Sequence, residues 1–310
     1  MKSFRGFALA AAGLAFILVV LGSWVRINGA GMTCPDWPLC RGSLIPSLQG
    51  GVVLEWSHRL VVLVETFVIF GLIVTGVRVR KQIAGLGPAL VTLAIVFSTQ
   101  VGLGGVTIFR ANDPLSVVLH WGTAMLLLAT LTWLAVLSIL TPDPDAIRHH
   151  SPGASYAAPA LAIAAFFAFV TMCAGAFVSS SYDGLACTTV PLCNGSPFGS
   201  NAAQYAQMFH RTAGYTFALV AIVAFLAARS SSRRVVTFAG AGLALICLQV
   251  ALGFANVLGH LPIVLREAHA ANAGLTFLAF VIAALLASLE PYTVTSHGRE
   301  RARVGRAVSA

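Results

Sequence analysis

Apolar residues in this chain come in long unbroken runs rather than in alternation. The stretches from Phe7 to Gly22 and from Ala157 to Val178 are almost free of charge, and between such runs lie short polar segments. About 20 apolar residues are needed for a helix to cross a hydrocarbon layer ~30 Å thick. Eight runs meet that length, at roughly 6–27, 55–77, 86–109, 115–140, 157–180, 204–228, 235–257 and 266–289. A membrane-spanning β-barrel would need strands alternating between lipid and lumen, and these runs do not alternate. The pattern therefore predicts an all-α integral membrane protein with eight transmembrane helices. The first run follows Lys2 and Arg5 as a signal peptide would, but it is long and lacks a small-residue cleavage site, so it is read as the first helix.

Composition agrees. Of 310 residues, 58% are hydrophobic and only 9% charged, whereas soluble domains carry about 25% charged residues. The net charge of +9 would suit a nucleic-acid binder, but the positions of the charges point to a membrane instead. Lys2, Arg5, Arg78, Arg80, Lys81, Arg148, Arg229, Arg233, Arg234, Arg299, Arg301, Arg303 and Arg306 all fall on one side of the predicted helices. The positive-inside bias makes that side cytoplasmic, with both termini and a basic tail from about 291. Loops 28–54, 110–114, 181–203 and 258–265 are then outside. Because Met1 leads straight into the first helix, with no transit peptide, a bacterial plasma membrane is expected rather than a mitochondrial one.

The two halves of the chain repeat each other. Gly22-x-x-Val25-x5-Gly31-x-x-Cys34-x3-Pro38-Leu39-Cys40 returns 153 residues later as Gly175-x-x-Val178-x5-Gly184-x-x-Cys187-x3-Pro191-Leu192-Cys193. His58-Arg59 returns as His210-Arg211. Gln100-Val101-Gly102-Leu103-Gly104 returns as Gln249-Val250-Ala251-Leu252-Gly253, and His120 as His269. Each half holds an even number of helices, so the copies have parallel topology. The expectation is two pseudo-symmetric four-helix bundles in tandem, 1–152 and 153–310. Cys34 with Cys40 and Cys187 with Cys193 lie in outside loops, where an oxidising compartment permits two disulfides. Without a nearby histidine they make a poor zinc or copper cage. Cys173 and Cys247 read as small buried apolar residues.

Ionisable groups at bilayer depth are functional-site hypotheses. His58, His120, His210 and His269 each lie about four residues inside the outer end of an even-numbered helix. One such histidine would be an ordinary interfacial hydrogen-bonder. Four, in repeat-related pairs at one depth, are what bis-axial heme ligation needs, with an imidazole on each side of each iron. Zinc or copper would call for further ligands at the same level. His149 and His150 in a cytoplasmic loop, His260 in an outside loop and His297 in the tail have no counterpart by repeat. Gly102, Gly104, Gly105 and Gly253 allow close helix packing or leave space for a flat macrocycle. Arg59 and Arg211 are candidate contacts for heme propionates, or else snorkel to lipid headgroups.

Glu55 breaks the repeat. It stands one turn before His58, where the other half has Gln207. It is a candidate catalytic group that exchanges protons or stabilises positive charge on a substrate; the bland reading is a favourable charge near a helix N-terminus. Glu65, opposite Phe217, lies deeper and has no assigned role.

Glu55-Trp56-Ser57-His58-Arg59, the paired loop cysteines, the Gln-Val-x-Leu-Gly stretches and the four histidines together resemble the heme A synthase family over nearly the whole chain. That resemblance implies an oxidoreductase of the respiratory membrane that turns the C8 methyl group of heme o into the formyl group of heme a for oxidase assembly. It also implies that His210 and His269 hold a resident heme b cofactor, and that His58 and His120 bind the substrate heme beside Glu55. Cys34 with Cys40 and Cys187 with Cys193 match the family's disulfide pairs. An electron partner, a heme o synthase and a second copy of the chain are candidate partners. A di-heme electron-transfer protein and a heme transporter or chaperone are the alternatives. The first gives no reason for Glu55 to stand in one half only, the second predicts one loosely held heme and no turnover, and only a synthase changes the mass of the heme.

Overall fold

A computed structural model describes residues 1–142 and 156–289. Arg148, His149, His150, His297 and the basic tail lie outside the described residues. Eight helices follow in order: α1 (Lys2–Ile27), α2 (Gly51–Val79), α3 (Leu86–Phe109), α4 (Pro114–Leu140), α5 (Ala157–Ser180), α6 (Ala202–Ala228), α7 (Arg233–Leu258) and α8 (Ile263–Leu289). All eight are long and apolar enough to cross a membrane, and among the described residues there is no strand beyond isolated bridges at Cys40–Ser43 and Cys193–Ser196.

Helices α1, α2, α6, α7 and α8 begin two to four residues before their apolar runs, and polar side chains cap the first turns of α4, α6 and α7. Asp113 caps α4 by accepting from the backbone N–H groups of Leu115 (3.1 Å) and Ser116 (3.2 Å), and Pro114 at the first helical position needs no partner for a missing N–H. Asn201 caps α6 through the Gln204 N–H at 3.0 Å, and Ser232 caps α7 through that of Val235 at 3.3 Å.

Within the first half α1 packs on α2 and α4, and α4 on α3; within the second, α5 packs on α6 and α8, and α8 on α7. The halves meet where α4 touches α5 and α8, and α1 touches α8. Lipid gives helices little hydrophobic reason to associate, so close fit has to hold them. The buried stripe of α1, Phe4, Ala8, Ala11, Ala15 and Val19, recurs every three or four residues and presents mostly small side chains. Ala157, Leu161, Ala164 and Ala168 form a similar stripe on α5. Helix α4 contacts neighbours on several sides and buries Leu127, Leu128, Leu131, Leu134 and Leu137. Phe67 and Phe70 on α2, and Leu219 and Val223 on α6, point outward. Cys173 is half-buried, but Cys247 is exposed. Its position on α7, which packs only on α6 and α8, leaves one face to the surroundings, so the expectation of a buried thiol fails there.

Candidate functional site

A cavity of about 910 Å³ lies between the helices at the end carrying the cysteine loops, and residues of all eight helices line it. The four histidines all face it. Because the helices start earlier than their apolar runs, these residues sit six to eight positions inside α2, α4, α6 and α8 rather than four.

The structure brings the histidines together in pairs within each half. The rings of His210 and His269 face each other with centroids 6.4 Å apart and planes at 76°. Two imidazole–metal bonds of about 2 Å each, as in zinc sites, plus the two ring radii, match that span. His210 Nδ1 donates to the Thr171 carbonyl at 3.0 Å. A carbonyl can only accept, so the proton is assigned to Nδ1 and Nε2 keeps its lone pair. The backbone carbonyl of His269 is held by Gln249 Nε2 at 3.0 Å, and Gln249 Oε1 in turn accepts from Asn272 at 2.6 Å. In the first half His58 and His120 lie near each other, and both line the cavity. Gln100, the counterpart of Gln249, comes within 3.4 Å of His120 Nε2.

Glycine makes room for every ring. A Cβ at Gly22 would stand 3.2 Å from His58 Nε2, one at Gly175 only 2.9 Å from His210 Cε1, one at Gly104 3.4 Å from His120 Cε1 and one at Gly253 3.3 Å from His269 Cε1. Gly105 lies instead against Trp37, and Gly102 has no neighbour at Cβ distance. Of the glycines in α3 and α7, Gly104 and Gly253 thus serve the imidazoles directly.

Both predicted cysteine pairs are bonded, Cys34–Cys40 and Cys187–Cys193, each closing a six-residue separation. The helix beneath pins each loop. Glu55, buried, accepts from the Cys34 N–H (2.9 Å), the Thr33 hydroxyl (2.9 Å) and Arg59 Nη2 (2.7 Å). Gln207 performs the matching task, accepting from the Cys187 N–H at 2.6 Å and donating to the Gly184 carbonyl at 2.8 Å. Arg59 donates to the carbonyls of Cys34 at 2.9 Å, Asp36 at 2.7 Å and Leu39. Arg211 donates to those of Cys187 (3.1 Å), Thr189 (2.7 Å), Pro191 (3.3 Å) and Leu192 (3.1 Å). The terminal nitrogens of Arg59 are therefore committed to protein acceptors, and only its Nε remains. At the tip of the first loop, Asp36 accepts from the N–H groups of Gly42 (2.7 Å) and Arg41 (2.5 Å); these bonds, Gly42's foremost, hold its carboxyl below the usual range. His260 sits exposed in the turn between α7 and α8 with φ at 58°.

Deeper in the cavity, Glu65 is buried and neither carboxylate oxygen has a hydrogen-bond partner. His120 Nδ1, Trp121 Nε1, Gln100 Oε1 and His269 Nδ1 are likewise buried and unpartnered. These polar atoms and the glycine-backed rings fit a flat ligand with a central metal. Two cavity-lining residues have no matching residue in the other half: Arg26, at the end of α1, and Arg266, in the first turn of α8. Their register counterparts are Ser179 and Val117, so a search for matching positions passes over them.

Fold and site define a multi-pass helical membrane protein that presents four imidazoles, two from each half, to one interior cavity beneath disulfide-closed loops. The chain belongs to the cytochrome oxidase assembly protein family (COX15-CtaA), whose family model matches residues 5–52 and 49–281. It is 31% identical to the heme A synthase of Shouchella clausii over 79% of this chain and 83% of that protein. It is 28% identical to that of Symbiobacterium thermophilum, covering 87% and 90%, and 28% identical to that of Bacillus licheniformis, covering 87% and 91%.

Proposed function

We propose that this protein is a heme A synthase, oxidising the C8 methyl group of heme o to the formyl group of heme a, with heme b as its resident cofactor. The observation that carries the reading is the His210–His269 pair, held 6.4 Å apart across a cavity with glycine behind each ring. His210 and His269 would hold heme b through neutral nitrogens, and His58 and His120 would hold heme o. When bound, heme b supplies one-electron exchange. Methyl plus water gives formyl with release of four electrons and four protons, so electrons must leave the site repeatedly, toward a partner protein.

The N-terminal half, 1–152, would be the substrate half because it holds Glu55 where the C-terminal half, 153–310, has neutral Gln207. Every partner of Glu55 is a donor, which suits an ionised acceptor. Facing the cavity beside His58, it would stabilise positive charge on the substrate or take a proton from it. The orientation proposed puts the cysteine loops outside and both termini in the cytoplasm of a bacterium, supported by the one-sided Lys and Arg distribution.

The test is mass analysis of hemes extracted from heme o-producing cells that express the wild type or Glu55→Ala. Heme a from the wild type, with heme b retained and heme a lost in the variant, is the expected result. Unchanged heme o in the presence of folded, heme-loaded wild type and its electron partner would instead favour electron transfer or heme handling.

A further inference from the structure

The cavity has a charge that the heme-site reading leaves unused. Arg26 lies one turn beyond Gly22, the residue on which His58 rests, and Arg266 lies one turn before His269. A turn rises about 5 Å, so each guanidinium stem begins one turn nearer the cysteine loops than the imidazole it accompanies. Both line the cavity, one from each half. Arg26 donates to Ser179 Oγ at 2.7 Å, and its charge interacts with those of Arg266 and Glu267. Arg266 makes no side-chain hydrogen bond or ion pair with another described residue. Glu267, beside Ser23 and Arg26, is the nearby buried carboxylate.

Two cations against one carboxylate leave positive charge facing a cavity of low dielectric, which is costly unless an anion arrives. Planar guanidinium forks match carboxylates in particular. The other arginines nearby, Arg59 and Arg211, spend their terminal donors on loop carbonyls. We propose that Arg26 and Arg266 form a carboxylate-binding site at the seam between the two halves, which receives the propionates of the hemes held by the histidine pairs. The proposal rests on the heme reading above and adds to it the residues that fix which edge of each macrocycle turns toward the loops. It also puts the two ligands within electrostatic reach of each other, since one cluster serves both.

The test titrates full-length, heme-depleted protein in detergent with heme b and, separately, with heme b dimethyl ester, whose propionates carry no charge. The bis-imidazole absorption bands report binding. Wild type is expected to prefer the free acid by about tenfold, which corresponds to about 1.4 kcal/mol. Arg266→Met and Arg26→Met bring acid and ester toward parity, and Arg266→Lys, which keeps the charge but loses the fork, falls between. Equal affinity of wild type for acid and ester would overturn the site, as would a full preference surviving in both Met variants. If wild type gives no bis-imidazole bands with either compound, the heme reading fails and this inference with it, an outcome distinct from the other two. The wild-type comparison needs no variant to fold.

Discussion

Glu55 and Gln207 occupy matching points of α2 and α6, and each accepts a hydrogen bond from the backbone N–H of the first cysteine in the loop above it, at 2.9 Å and 2.6 Å. One carries charge and the other does not, yet both hold a disulfide loop in place. The pair therefore separates structure from chemistry by a natural comparison. Glu55→Gln should keep the loop and its disulfide, changing stability by less than about 1 kcal/mol, because an amide already serves at Gln207. Glu55→Ala removes the anchor and should cost about 1–3 kcal/mol. Thermal unfolding gives the stabilities, and heme extraction gives the chemistry. Heme a formation lost in both variants assigns the role to the charge; full activity in Glu55→Gln would remove Glu55 from the reaction.

The glycine behind each histidine ranks four substitutions. Gly175→Ala places a methyl 2.9 Å from the His210 ring, closer than real Cβ contacts come, while Gly104→Ala meets His120 at 3.4 Å, ordinary contact. Gly175→Ala should tilt its ring and reduce the heme content of purified protein several-fold. Gly104→Ala should retain heme, with Gly22→Ala and Gly253→Ala between them. The ratio of heme absorbance to protein absorbance decides it, and an unchanged ratio in Gly175→Ala would show that the ring is free to move.

Glu65 has no partner for either oxygen among the described residues. A buried polar group without a hydrogen bond costs about 1–3 kcal/mol. Glu65→Leu should therefore raise the Tm of the protein. A fall in Tm, or loss of heme from an otherwise folded variant, would reveal a contact made to a ligand.

Asp36 makes the first disulfide loop acid-sensitive. Its folded pKa is depressed by the Gly42 and Arg41 N–H groups, so its contribution is complete above the unfolded value near about 3.9 and disappears as pH falls through the lower folded value. Protection of the Arg41 and Gly42 amides, measured as the exchange rate relative to the intrinsic rate at each pH, should fall on acidification, and Asp36→Asn should flatten that dependence. Identical pH profiles for wild type and variant would exclude Asp36 as the cause.

The helices were legible in the sequence because a backbone in lipid must satisfy its own hydrogen bonds, which leaves long apolar runs few alternatives. Their first turns were less so: α1 and α2 start four residues before their apolar runs, and at α6 and α7 the caps Asn201 and Ser232 are features that a hydropathy window does not weigh. The cysteine pairs and histidine pairs were visible through repetition. The engagement of Arg59 and Arg211 by backbone carbonyls was not, because a carbonyl exists at every residue and leaves no mark in the sequence. Arg26 and Arg266 were hidden for the opposite reason: repeats draw attention to positions that match, and these two do not. Glu55 was found by a break in the repeat, and the same criterion applied to Arg26 opposite Ser179 would have found them.

The two loops at the cysteine end are fastened three times over, by a disulfide, by a carboxylate or carboxamide from the helix below, and by an arginine that gathers several of their carbonyls. A lid so fastened does not lift easily. In the first half the neighbouring pair that packs most thinly is α2 with α3, so the least work in reaching the interior is done sideways, by parting two helices. A molecule entering that way arrives from the surrounding lipid, so the choice of detergent or lipid sets how fast the interior fills and belongs with any loading rate quoted for this protein.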